Sequence, residues 1–280
     1  MIGSSYALVA IGYTLVFGVL RLLNLAHPEI FMASGFIALA LAGTGIPIVL
    51  AAILAVLASG FIGVALYYIA FRPLRHEDLL AGFITSLAFG LILRTIVVER
   101  YGSAVRPFPE LSSVGDFRLG SALISTVDVV VLLISLGLMV GLTVGIARTA
   151  GGRRLRAVAS NPTAAALLGV PIRKVFIGAF FLSSLLAGMA GLLSAIRFEG
   201  LSPLVGVEIG LKALAVMVIG GLGDIRGAFL AGILLGVMEA LLQVYAGPGW
   251  ADGLVWAALI GTLLLRPAGL FSRTAFEREV

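Results

Sequence analysis

Apolar residues fall in long unbroken runs near 3–20, 30–45, 46–71, 79–98, 122–147, 175–196, 204–221, 226–246 and 250–266. A bilayer core about 30 Å thick takes about 20 apolar residues of helix per crossing. The runs are continuous and not alternating, so they predict helices and exclude barrel strands. Two of them, 30–45 and 204–221, are short or interrupted enough to form half-helices or re-entrant segments. The pattern predicts an all-α polytopic membrane protein. It should be a bundle of about eight to ten transmembrane helices, with interrupted helices near 24–30 and 220–227. All of 1–280 reads as a single transmembrane domain. Gly3 to Leu20 has neither a basic segment before it nor a small-residue cleavage site after it, and so predicts a retained helix.

Composition sharpens this. Of the 280 residues 60% are hydrophobic and 12% charged, where soluble domains carry about 25% charge. That excludes a soluble enzyme or a nucleic-acid-binding module. The net charge of +5 is concentrated in loops, where it sets orientation. Arg148 to Lys174 holds six basic residues and no acidic one, which makes 148–174 cytoplasmic by the positive-inside rule. Phe71 to His76 and the tail from Arg266 fall on the same face, and the loop from Glu99 to Ser121 on the outer one. The chain has no Cys, and its two His, His27 and His76, are far apart. No metal or other cofactor is expected.

Three segments interrupt the apolar pattern. Asn24, Ala26, His27 and Glu29 flank Pro28, which disfavours helix just before it. This is either a broken helix beside a substrate pathway or an ordinary turn between spans. Gly220, Gly221 and Gly223, followed by Asp224 and Arg226, form a second interruption. Gly- or Pro-interrupted spans in both halves of a chain point to a transport pathway. The third segment is a short helix in the basic loop. Asn161 suits its N-cap, Pro162 its first turn and Gly169 its stop. Its Ala165, Leu167 and Leu168 could meet a partner or lie on the bilayer surface.

Charges inside spans are costly and require an explanation. Glu208 and Lys212, four apart, are expected to pair on one helix face. Arg94 and Asp128 are expected to pair with one another or to snorkel. Glu239 has no obvious partner. The small-xxx-small pairs Gly141/Gly145, Gly206/Gly210 and Gly232/Gly236 predict close helix packing in lipid.

These residues carry a family resemblance. Tyr6 to Thr14, Leu23-Asn24-Leu25-Ala26-His27 with Glu29 to Met32, Arg72 to Arg75, and Gly152 to Ala157 with Leu167 to Val170 all fit one pattern. So do Gly210 to Ala213, Gly220 to Gly223 and Arg266 to Leu270. The chain resembles the LivH-type permease subunits of branched-chain amino acid ABC importers, in order and over nearly its whole length. The resemblance implies alternating access in the bacterial-type plasma membrane, powered by two cytoplasmic ABC ATPase subunits. It also implies a second permease subunit and an extracytoplasmic substrate-binding protein. The segment with Arg153, Arg154, Asn161, Pro162, Ala165, Leu167, Leu168 and Gly169 would couple to the ATPase. Asn24, Ala26, His27, Glu29, Gly220, Gly221 and Gly223 would line the pathway. The chain departs from the family at Pro28, where Gly is usual, and at Asp224 to Gly227, where Ser-Ile-Pro-Gly is usual. Urea or a short amide is therefore an alternative cargo.

A rival from another class is an ion-coupled secondary carrier, which would need an essential carboxylate such as Glu239 or Glu29. A membrane enzyme would need a catalytic constellation, and the sequence has no HExxH, paired-carboxylate or Ser/His arrangement.

Overall fold

The computed structural model describes residues 2–74, 79–109, 117–119 and 122–271. Every apolar run of the sequence is a helix in it. These are α1 Ile2–Leu20, α2 His27–Ala42, α3 Ile48–Leu66, α4 Leu79–Tyr101, α5 Thr126–Arg148, α8 Ile172–Phe198, α9 Val205–Gly220, α10 Ile225–Tyr245 and α11 Pro248–Leu265. Between α5 and α8 lie two further helices, α6 Ala150–Ser160 and α7 Pro162–Leu167. Among the described residues six helices are long and apolar enough to cross a membrane: α1, α3 with its last turn, α4, α5, α8 and α10. The apolar α2 and α11 are shorter, and α9 is a 16-residue helix that carries Glu208 and Lys212. The interruptions stand where the sequence predicts them, between α1 and α2 and between α9 and α10. Arg75, His76 and the tail beyond Phe271 lie outside the described residues.

The small residues explain the packing. α1 is buried almost all round, with α8, α9 and α10 against it. Gly3 lies over Gly232 and Gly236 of α10, and a side-chain carbon added at Gly232 would stand 2.7 Å from the Ala7 Cα. α3 and α8 meet in the same way, with Gly60 and Gly63 against Phe181 and Ser184, and Gly188 against Ser59. Such close approach is the main source of helix affinity in lipid, where apolar burial gives no preference for protein over acyl chain. By contrast α4 and α5 bury little of their surface. Their exposed Leu87, Leu91, Ile96, Leu133, Leu136 and Val140 are the flank of a protein solvated by hydrocarbon.

α3 ends in a π-turn over Tyr67–Phe71. It is closed by the Arg72 amide donating to the Tyr67 carbonyl at 2.8 Å and packed on Phe180 by Tyr67 and Phe71. Two short strand pairs complete the fold. β1 Arg106–Pro107 runs antiparallel to β4 Gly200–Leu201, tying the segment after α4 to the end of α8. β2 Phe117–Leu119 and β3 Ala122–Ile124 form a hairpin before α5.

Candidate functional site

The chain breaks after Leu20 because Arg21 takes a left-handed conformation, φ 54°, and the next residues turn back into the bundle. Asn24 closes that turn, its Oδ1 accepting from the Ala26 amide at 3.1 Å. The Leu25 amide donates to Ser86 Oγ of α4 at 3.1 Å. α2 therefore begins at the middle of its neighbours and not at the membrane surface. His27 is fully buried against Gly12, mid-way along α1, with Tyr13 tilted over its ring at 4.7 Å. Its Nδ1 lies 3.4 Å from Ser183 Oγ, mid-way along α8, and that hydroxyl donates to the Gly12 carbonyl at 2.8 Å. Glu29 lies beside Gly90, mid-way along α4, and 3.8 Å from the Arg94 guanidinium.

Asn24 Nδ2 and Glu29 Oε2 are buried and make no hydrogen bond to protein, and the buried His27 ring faces the Val9 backbone. Each unpaired atom belongs to a polar group that needs a partner in a low-dielectric interior. His27 and Glu29 lie in the first turn of α2, whose positive end points into the bundle, and face different neighbours: His27 faces α1 and α8, and Glu29 faces α4. Pro28 has a packing role, its ring lying on Gly210 and its carbonyl on Gly206 of α9.

The second interruption is a backbone-packed turn. Gly221 and Gly223 have φ 116° and 88°, which side-chain-bearing residues rarely adopt. Asp224 caps α10 by accepting from the Arg226 and Gly227 amides at 2.9 and 3.2 Å. Gly220 meets the Gly227 backbone, where an added carbon would stand 2.5 Å from the Gly227 carbonyl carbon. The Leu270 amide donates to the Ile219 carbonyl at 2.7 Å, so the segment just after α11 closes over this turn. Along α9 the turn is ten residues, about 15 Å, from the Gly210–Pro28 contact. The start of α2 is thus at another level of the bundle, although the end of α1 lies beside this turn, with Gly18 facing Gly223.

Two expected charge pairs are corrected. Lys212 does not pair with Glu208; it reaches Glu239 of α10 at 2.8 Å and Asp252 of α11 at 2.6 Å. The Tyr6 hydroxyl donates to Glu239 Oε1 at 3.3 Å. An (i, i+4) pair on one helix loses here to partners on other helices, because Lys212 is on the buried face and Glu208 on the side away from the core. Likewise Arg94 faces Glu29, and Asp128 pairs with Arg197 of α8.

In the basic loop, Thr149 caps α6, accepting from the Gly152 amide at 3.0 Å. Asn161 caps α7, accepting from the Ala164 amide at 2.9 Å, with Pro162 in the first turn. Gly169, φ 78°, ends it. Leu167 and Leu168 project outward, 86% and 83% exposed, while Ala165 faces inward and is buried. Arg153 is exposed. Arg154 lines a cavity between α5, α6 and α8. Helix α6 went unread in the sequence, although Thr149 and the spacing of Leu155 and Val158 are its signals. The Lys212 node was missed because its members are 27 and 40 residues apart.

A tightly packed bundle whose long apolar helices can cross a membrane, with a short capped helix between α5 and α8, defines a multi-pass membrane protein. The chain matches the family described as the branched-chain amino acid transport system permease component over residues 1–266, and it belongs to that family. It is 31% identical to the high-affinity branched-chain amino acid transport system permease protein BraD of Pseudomonas aeruginosa. That match covers 99% of this chain and 94% of the relative. It is equally 31% identical, with the same coverage, to LivH of Escherichia coli. The autoinducer 2 import system permease protein LsrC of Klebsiella pneumoniae is 33% identical over 43% of this chain and 37% of its own length. Among solved structures, PsaBC from Streptococcus pneumoniae in complex with Fab shares the fold, with a TM-score of 0.50 at 15% identity. It covers 95% of this chain and 90% of that one. The protein is thus the permease component of an ABC importer family and not its catalytic subunit.

Proposed function

We propose that this chain moves branched-chain or other hydrophobic amino acids into the cell by alternating access. It works as one of two permease subunits, with two cytoplasmic ATPases and an extracytoplasmic binding protein. The observation that carries the substrate is the end-to-end similarity to permeases whose names specify branched-chain amino acids. Asn24, His27 and Glu29, at the start of α2, lie beside the pathway. The unpaired Asn24 Nδ2 and Glu29 Oε2 offer a donor and an acceptor for the polar end of a small zwitterion, while apolar helix surface takes the side chain. The loop 148–174 and the C-terminus are cytoplasmic, following its run of basic residues. Within that loop α7 docks on the ATPase through Leu167 and Leu168, two large apolar side chains held outward by a capped helix. The departures at Pro28 and Asp224 to Gly227 favour urea or a short amide as the second reading of the cargo.

Affinity purification of the chain from its native membrane, with its co-purifying subunits identified and reconstituted, tests this directly. ATP-dependent uptake of radiolabelled leucine, blocked by excess isoleucine, is the expected result. Uptake of urea or acetamide and not leucine would assign the other cargo. A chain that purifies alone and carries substrate down an ion gradient would refute the importer.

A further inference from the structure

A cavity of about 550 Å³ opens between α5, α6 and the first half of α8. Gly137, Gly141 and Gly145 form one wall and Gly178 and Leu182 the other, with Leu142 and Leu186 at the back. At one end Arg154 and Lys174, both exposed, stand on its rim. The sequence predicts a helix seam at Gly141/Gly145, and the structure has none. A side-chain carbon at Gly137, Gly141, Gly145 or Gly178 would meet nothing within 4 Å, whereas one at Gly3, Gly63, Gly232 or Gly236 would run into the backbone of a neighbouring helix.

The dimensions and charge of the slot identify its occupant. From Gly137 to Thr149 is twelve residues, about 18 Å of helix, a little more than half of the roughly 30 Å hydrocarbon core. The slot is therefore one leaflet deep. A transmembrane helix of another subunit is about 10–12 Å wide with its side chains and crosses both leaflets, so it would not be confined to this half. The walls are apolar. The two cations lie at the end where headgroups of that leaflet sit, and no acidic residue occurs between 148 and 174 to neutralise them. We propose that this slot binds one acyl chain of an anionic phospholipid, with the phosphate held between Arg154 and Lys174. The lipid would fill the space under the α5–α6 elbow, and its binding does not depend on which substrate the permease carries.

The experiment is native mass spectrometry of the intact complex, titrated with 1-palmitoyl-2-oleoyl phosphatidylglycerol or with the phosphatidylcholine of the same chains. Phosphatidylglycerol is expected to be retained more tightly, by roughly fivefold per basic group near the headgroup. Arg154→Gln with Lys174→Gln, both on the surface, should bring it down about 25-fold, to the level of phosphatidylcholine. Gly141→Leu, which fills the slot, should displace both lipids. Equal retention of the two lipids by the unmodified complex would overturn the proposal, as would a charge-neutralised variant that still prefers phosphatidylglycerol. So would a Gly141→Cys variant that crosslinks to another subunit in native membranes, since a protein helix would then fill the slot.

Discussion

Removing the ammonium from the Lys212 node should be the most damaging single change in the first half of α9. Lys212→Met leaves Glu239, 1% exposed, with the Tyr6 hydroxyl as the donor that remains to it from the node. Stranding one member of a buried ion pair costs about 3–5 kcal/mol. Asp252→Asn should cost far less. The Asp252 carboxylate is more than half exposed, and exposed pairs contribute about 0.2–1 kcal/mol. Removing both members of the buried pair removes the stranded charge as well, and apolar replacement of a whole pair is often close to neutral. Lys212→Met with Glu239→Met should therefore recover most of the loss, with a coupling energy of at least about 2 kcal/mol. The folded fraction in lipid bicelles against increasing SDS measures each variant. Additive losses in the double variant, or a loss from Asp252→Asn as large as from Lys212→Met, would refute the reading. The same variants separate the transport classes. Glu239→Gln keeps an acceptor for Lys212 and should retain ATP-driven uptake, whereas an ion-coupled carrier that depends on Glu239 would lose it.

Leu167→Asp with Leu168→Asp should leave insertion intact and abolish ATP-driven uptake in reconstituted vesicles; normal uptake would remove α7 from the coupling interface. Asn161→Ala deletes the α7 cap and should cost that helix about 1 kcal/mol, seen as faster amide exchange confined to 162–168; unchanged exchange would mean that the cap is dispensable. Gly232→Leu drives a side chain into the Ala7 backbone and should destabilise the bundle by about 1–3 kcal/mol, while Gly141→Leu leaves the helix packing intact. Equal thermal destabilisation of the two would contradict the packing assignments.

The helices were legible because each must satisfy one strong demand, about 20 apolar residues per crossing, and all nine apolar runs meet it or announce their shortness. The cap at Asn161 and the stop at Gly169 were legible for a local reason, since a cap is made within one turn. Tertiary pairing was not. Spacing offered Lys212 the nearby Glu208, but the rotation of α9 turns Lys212 toward α10 and α11. The same holds for glycine. Gly232/Gly236 and Gly141/Gly145 have identical spacing, yet one pair packs on α1 and the other borders an open slot. Periodicity identifies a face, and only the assembled bundle decides what covers it. At the start of α2, Pro28 and its polar neighbours announced the break, while Gly12, Ser183 and Gly90, which enclose it, carry no signal of their own.

The start of α2 has a consequence for how the protein is made. His27 settles against Gly12 and Ser183, and the second of these leaves the ribosome more than 150 residues later. Until α8 has been inserted, the first turn of α2 has no wall on one side and its polar groups face lipid or the translocon. The segment must then wait at the interface, or in the insertion machinery, before it is drawn into place. Biogenesis is thus ordered by distance along the chain, with α2 completed late although it is translated early.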